Sequence, residues 1–157
     1  MTATADLCDE RGDEVDCCLL PLRLYGGRTR FGGPAATVRC HEDVGLLRTV
    51  VAEPGEGRVL VVDGGGSLRH ALLGDVMAGT AARAGWAGIV VHGAVRDVAA
   101  LRGLDLGVTA LGSVPRRSPA TGTGERDVPL RFGGVTVVPG AAVQVDEDGV
   151  VVERRPV

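Results

Sequence analysis

Gly74-Asp75 and Arg96-Asp97 stand with twenty residues between Asp75 and Arg96. Two carboxylates and a guanidinium are the groups needed to hold a hard cation beside an anionic substrate. Asp97 can ligate a divalent ion, and Arg96 can pair with a carboxylate or a developing enolate oxygen. If Asp75 opens a helix, the N–H groups of Asp75, Val76 and Met77 have no intrahelical partner and can hold a further carboxylate. A 2-oxo acid matches this set. Its carboxylate and keto oxygens can chelate a cation that withdraws electrons, Arg96 adds positive charge as an enolate develops, and Asp75 can act as acid or base towards water. One or two protein carboxylates suit Mg²⁺ or Mn²⁺, which retains several waters. The same residues also have a plainer account: an Asp at a helix start serves as a cap, and an Arg-Asp neighbour pair lies on the surface.

The two pairs meet only if the intervening elements bring them together. Arg58 to Asp63 contains Val59-Leu60-Val61-Val62, an unbroken apolar run that predicts a strand buried on both faces, ending in Asp63-Gly64-Gly65-Gly66-Ser67. Asp75 to Ala84 reads as a helix with Asp75 at or beside its N-cap, closing near Gly85. Ile89-Val90-Val91 predicts a second buried strand that closes on His92-Gly93. Strand, helix and strand in this order make a crossover unit with parallel strands. Asp75 and Arg96-Asp97 then lie at the carboxyl ends of neighbouring strands, where α/β proteins place ligands.

The remaining chain predicts a mixed α/β architecture in a single domain over residues 1–157, with a parallel crossover core and a β-rich C-terminal third. Thr4 to Glu10 forms a helix capped by Thr2 or Thr4; Leu19 to Tyr25 and Ala35 to Cys40 are strands; Asp43 to Ala52 is a helix stopped by Pro54-Gly55. Val95 to Gly103 suggests a short helix, Val108 to Leu111 a strand, and Arg116 to Arg126 an exposed loop. Four short Val-rich runs follow, Val128 to Phe132, Val135 to Val138, Val143 to Val145 and Val150 to Val152, with Asp148-Gly149 as a hairpin corner.

Composition removes several functions. All 17 basic residues are Arg, so no lysine can form a Schiff base or serve a Walker-type phosphate loop. A net charge of -3 supplies no field for a polyanion, which argues against direct nucleic-acid binding. No apolar run approaches a membrane span and the acidic N-terminus is unlike a signal peptide, so a cytoplasmic location is expected. Cys8, Cys17, Cys18 and Cys40 show no zinc spacing and read as structural or incidental thiols. The Gly64–Gly66 run lacks the sixth-position glycine of a dinucleotide fingerprint, which leaves a tight turn lining the pocket as the better reading. His92 is expected beside the site, hydrogen-bonded in its wall more readily than carrying protons; His41 and His70 show no partner pattern. Trp86 is expected in the core or at a subunit seam.

Phe31 to Ala35 (FGGPA) with Thr37-Val38, Val59 to Ser67 (VLVVDGGGS), Ala71 to Asp75 (ALLGD), Gly88 to Asp97 (GIVVHGAVRD), Gly122 to Val128 (GTGERDV) and Phe132 to Gly140 (FGGVTVVPG) follow one another in order. Together they resemble the family named for the regulator of ribonuclease activity A, the RraA-like family, which includes the 4-hydroxy-4-methyl-2-oxoglutarate aldolases. The aldolase branch carries a D-x20-R-D pattern, and Asp75, Arg96 and Asp97 fit it. The resemblance implies a swivelling β/β/α-like fold and a homotrimer with sites at subunit boundaries. It implies Asp97 as metal ligand, Arg96 as substrate and enolate contact, and Gly74, Asp75, Val76 and Met77 as the substrate-binding turn; with the acid–base role read above for Asp75, the expected catalytic groups are Asp75 and Arg96. The implied reaction is class II cleavage of 4-hydroxy-4-methyl-2-oxoglutarate to two pyruvates with an oxaloacetate decarboxylase side activity, both through a pyruvate enolate. The lysine-free composition agrees, because an aldolase without an imine needs a metal as electron sink. The alternative implied is a regulator that binds a ribonuclease or helicase without catalysis. For Glu125 two readings stand, a group reaching a neighbouring subunit's site and a solvated loop acid, the second slightly favoured.

Overall fold

A computed structural model describes residues 1–157. The two apolar runs become β4 (Val59–Asp63) and β6 (Gly88–Val95), paired in parallel from Val59↔Gly88 to Asp63↔His92. Leu60 and Val62 pack on one side of the sheet, Val59 and Val61 on the other, and all four are buried. That two-sided burial explains why the run does not alternate, and each such side chain stabilises by about 2 kcal/mol.

β3 (Phe31–Arg39) joins two pairing schemes. Its first residues, Phe31–Pro34, run antiparallel to β11 (Ala142–Asp146), and Ala35–Arg39 run parallel to β4. A Cβ on Gly33 would lie 2.2 Å from the Gly57 carbonyl oxygen, so the backbone crosses here only with glycine. The sheet order is β1 (Val15–Cys17), β12 (Gly149–Glu153), β11, β3, β4, β6, β7 (Gly107–Ser113), β2 (Arg23–Leu24). β5 (Ala71–Leu73) lies beside β6, β8 (Glu125–Arg126) beside β3, and β9 (Leu130–Phe132) pairs with β10 (Val135–Val137) in a separate hairpin. α2 (Gly45–Val51), α3 (Asp75–Arg83) and α4 (Val98–Leu101) cover one face through Leu47, Val50, Ala78, Ala81 and Leu101. The β9–β10 hairpin covers the other through Leu130, Phe132, Val135 and Val137. This is the mixed α/β architecture the sequence predicts, with the parallel crossover and a β-rich last third.

Several boundaries differ. The Leu19–Tyr25 run shrinks to β2, because Leu19 is exposed and the chain turns through Leu22 N–H to Leu20 O. α1 (Thr4–Arg11) has no side-chain cap; Thr4 instead gives its N–H (2.8 Å) and hydroxyl (2.6 Å) to buried Asp146, fastening α1 to the β11–β12 hairpin. β5 has only three residues, too few for a period to show. β6 does not close on His92-Gly93 but continues to Val95, because a bulge absorbs those residues: pairing with β7 shifts by one between Val91↔Ala110 and Ala94↔Gly112. The short helix expected over Val95–Gly103 is α4 alone. Cys8 and Cys17, though not at metal spacing, bring their sulfurs within 3.3 Å.

Candidate active site

The bulge in β6 creates the site. Up to His92 the strand pairs with β4; from Ala94 it pairs with β5, in the register Ala71↔Ala94 and Leu73↔Val95. Changing partner sets the end of β5 beside the end of β6, so Gly74-Asp75 and Arg96-Asp97 emerge together. The Arg96 N–H donates to the Leu73 carbonyl (2.9 Å). Asp97 then takes a left-handed conformation (φ 57, ψ 42), a region Asp tolerates better than most residues, and its Oδ2 accepts the Asp75 N–H at 3.0 Å. A Cβ on Gly74 would stand 2.5 Å from that same Oδ2 and 3.3 Å from Arg96 Nε. Gly74 has φ -131, which any residue adopts, so closeness to Asp97 rather than backbone conformation demands glycine here.

Gly74, Asp75, Val76, Met77, Arg96 and Asp97 all line one cavity of ≈ 250 Å³. The plainer account of Asp75 fails: Gly74 is the N-cap, α3 has no side-chain cap, and the carboxylate reaching its first N–H belongs to Asp97. One expectation is corrected by the same bond. The Asp75 N–H is already engaged, which leaves the N–H groups of Val76 and Met77 for a ligand. Arg96 is held loosely, with Nε 3.9 Å from Asp97 Oδ2 and Nη1 3.5 Å from the Pro115 carbonyl, and the Asp75 carboxylate has no partner in the chain.

The far wall comes from residues that pattern reading missed. Arg48 on α2, Arg117 and Ser118 line the cavity. The segment read as an exposed loop is tied down at its start: Ala71 N–H donates to Arg116 O (2.6 Å) and Ser118 N–H to Ala71 O (3.0 Å), leaving Ser118 only 3% exposed. Buried Asp43 fixes its other end, accepting the Gly45 N–H (2.9 Å), the Gly122 N–H (3.1 Å), the Thr121 N–H (3.1 Å) and the Thr121 hydroxyl. The Thr121 hydroxyl, aided by those backbone donors, holds the Asp43 carboxyl far below the usual carboxylate range. The spacing Asp43-Val44-Gly45 is an Asx-turn signal that could have flagged it.

His92 is not in the cavity wall. Its Nδ1 lies 2.8 Å from Asp63 Oδ1 and its ring stacks on Phe132 with centroids 4.8 Å apart, in the opposite layer. His41 and His70 do have a shared partner: Glu42 lies 3.1 Å from His70 Nδ1 and 3.5 Å from His41 Nε2, and Ser67 Oγ donates to it at 3.1 Å. The Gly64–Gly66 turn lines none of the cavities. Glu125 pairs with Arg39 at 3.4 Å and is 62% exposed, in keeping with a solvated acid. Trp86 is buried and donates Nε1 to Val51 O (3.2 Å).

The donor set can be tested against a divalent cation. No three His, Cys, Asp or Glu side chains cluster as ligands, which does not fit zinc. Asp97 offers one carboxylate, 37% exposed on an open cavity, and that fits Mg²⁺ or Mn²⁺, which take their remaining oxygens from water and substrate.

Over residues 4–152 the chain matches the family described as RraA-like, Aldolase/RraA. It is similar to the S-adenosylmethionine: 2-dimethylmenaquinone methyltransferase from Geobacillus kaustophilus HTA426, at 48% identity and TM-score 0.95 over 99% of this chain and 97% of that one. It is similar to the RNA-processing inhibitor RraA from Thermus thermophilis at 46% identity and TM-score 0.94, over 100% of this chain and 95% of that one. Streptomyces coelicolor RraAS2, described as an unusual member of the RNase ES inhibitor RraA protein family, shares 31% identity at TM-score 0.79, over 96% of this chain and 79% of that one.

Proposed function

The chain belongs to the RraA-like family, and on that premise we propose that it is a metal-dependent carbon–carbon lyase acting on small 2-oxo acids. It cleaves 4-hydroxy-4-methyl-2-oxoglutarate to two pyruvates and decarboxylates oxaloacetate, each through a pyruvate enolate. The observation that carries this reading is the convergence of Arg96, Asp97 and the start of α3 on one cavity. Asp97 holds the cation, Mg²⁺ or Mn²⁺, which supplies electron withdrawal from the 2-oxo group when bound. Val76 and Met77 present their N–H groups to the substrate carboxylate, at the positive end of the helix dipole. Arg96 stabilises negative charge as the C3–C4 bond breaks and its electron pair moves towards the keto oxygen. Asp75, free of partners, serves as acid or base towards water in the cavity. The lysine-free chain supports the metal route, since no side-chain amine can form an imine. The reading includes a homotrimer with sites at its seams; Val76, 77% exposed on the cavity rim, supports a second copy covering that edge.

A panel of 2-oxo acids tests this. Pyruvate should appear from oxaloacetate and 4-hydroxy-4-methyl-2-oxoglutarate with Mg²⁺ and stop with chelator, whereas equal rates in both conditions refute the reading. The 46% identity to an RNA-processing inhibitor favours a second reading, a regulator that acts by binding a ribonuclease or helicase without catalysis. Capture of such a partner by protein that releases no pyruvate decides for the regulator.

A further inference from the structure

Resting on that reading, we propose that Arg48, Arg117 and Ser118 form a second carboxylate subsite in the same cavity, so that the site selects 2-oxo acids carrying a carboxylate at both ends. Nine of the 17 arginines stand in ion pairs with carboxylates. Arg48 and Arg117 pair with nothing in the chain, and both line the cavity. A guanidinium fork without a partner is suited to a planar carboxylate, which it binds through two parallel hydrogen bonds.

Ser118 gives an independent indication. Its Oγ is the one buried side-chain polar atom in the protein without a hydrogen-bond partner, and the residue lines the same cavity. Buried hydroxyls rarely stay unpaired, and rotation about the Cα–Cβ bond re-aims this one. The three residues come from α2 and the segment after β7, elements apart from those carrying Arg96, Asp97 and the start of α3. The Asp43 carboxylate and the Ala71 main chain hold that segment by its backbone, so the main chain carrying Arg117 and Ser118 is set before a ligand arrives. The charges agree: three guanidinium groups line the cavity against two carboxylates, and a bound divalent ion would widen the surplus, which a dianion offsets better than a monoanion. A volume of ≈ 250 Å³ suits a small metabolite.

Calorimetry with the Mn²⁺-loaded full chain provides the test, using oxalate as a probe of the Arg96–Asp97 end and 2-oxoglutarate as one that spans both. Arg48→Gln and Arg117→Gln should each raise the 2-oxoglutarate Kd about tenfold and Ser118→Ala about threefold, with the oxalate Kd unchanged within about twofold. Arg48→Lys, which keeps the charge but loses the fork, should recover part of the loss. Equal weakening of both probes, or no weakening of either, overturns the subsite. Wild-type protein that binds oxalate but holds 2-oxoglutarate no more tightly than the monocarboxylate 2-oxobutyrate also overturns it, leaving the lyase reading intact. Wild-type protein that binds none of these acids overturns both.

Discussion

Two glycine-bearing turns leave parallel strands at the same end of the sheet, and only one opens on a cavity. After β4, the Gly64–Gly66 turn is crowded by the chain's own side chains: a Cβ on Gly64 would meet Leu72 at 2.4 Å, one on Gly65 His41 at 3.0 Å, and one on Gly66 His92 at 3.0 Å. Its acids are engaged, Asp63 by His92 and Glu42 by His70, Ser67 and Arg69. After β5, Gly74 is crowded only by Arg96 and Asp97, while the Asp75 carboxylate, two backbone N–H groups and the Arg48 and Arg117 guanidinium groups stay unpaired around a cavity. Placement at strand ends is therefore not what marks a site. Partnerless polar groups gathered around a cavity mark it, with the buried Ser118 hydroxyl among them.

Substitutions in the two turns should separate sharply. Arg96→Gln should lower kcat/KM for oxaloacetate about 100-fold, the scale of losing a charge stabiliser in the transition state, and shift stability by less than about 0.5 kcal/mol. Gly74→Ala should cost about 30-fold in rate, because its methyl group displaces the Asp97 carboxylate, and rates near wild type would show that this contact is slack. Asp43→Ala acts through the wall, with an expected loss of about 2–3 kcal/mol in urea unfolding as three N–H donors lose their acceptor. Asp43 is depressed in the fold relative to about 3.9 in the unfolded chain, so the stability it gives is complete above about pH 5 and falls away as pH drops through 4. The variant should flatten the acid limb of the stability profile. His92→Ala, in the filled turn, should cost about 1 kcal/mol of stability and leave turnover within about twofold. A large rate loss there would erase the distinction between the two turns.

The crossover and its paired acidic and basic residues were legible because they are local: an unbroken apolar run, an Ala-rich helix and a fixed interval each read without neighbours. The bulge at His92-Gly93 was not, since a strand's change of partner from β4 to β5 depends on a three-residue strand with no period of its own. His92 was expected in the pocket wall from its place at the strand end, but it stands two residues after Val90 in unbroken register with β4, so it faces the same layer and stacks on Phe132 there. Arg117 and Ser118 are held at the cavity by Ala71 and by the Asp43 carboxylate, and Arg48 reaches it from α2, through long-range contacts that no periodicity encodes.

The most direct measurement is oxaloacetate decarboxylation by Asp97→Ala beside wild type in Mg²⁺, each corrected for the rate with the metal alone. Wild-type turnover above that background with the variant reduced to it, both proteins melting at similar temperatures, is the expected result. A variant as fast as wild type, or a wild type no faster than the metal alone, would contradict a cation-dependent lyase at this corner.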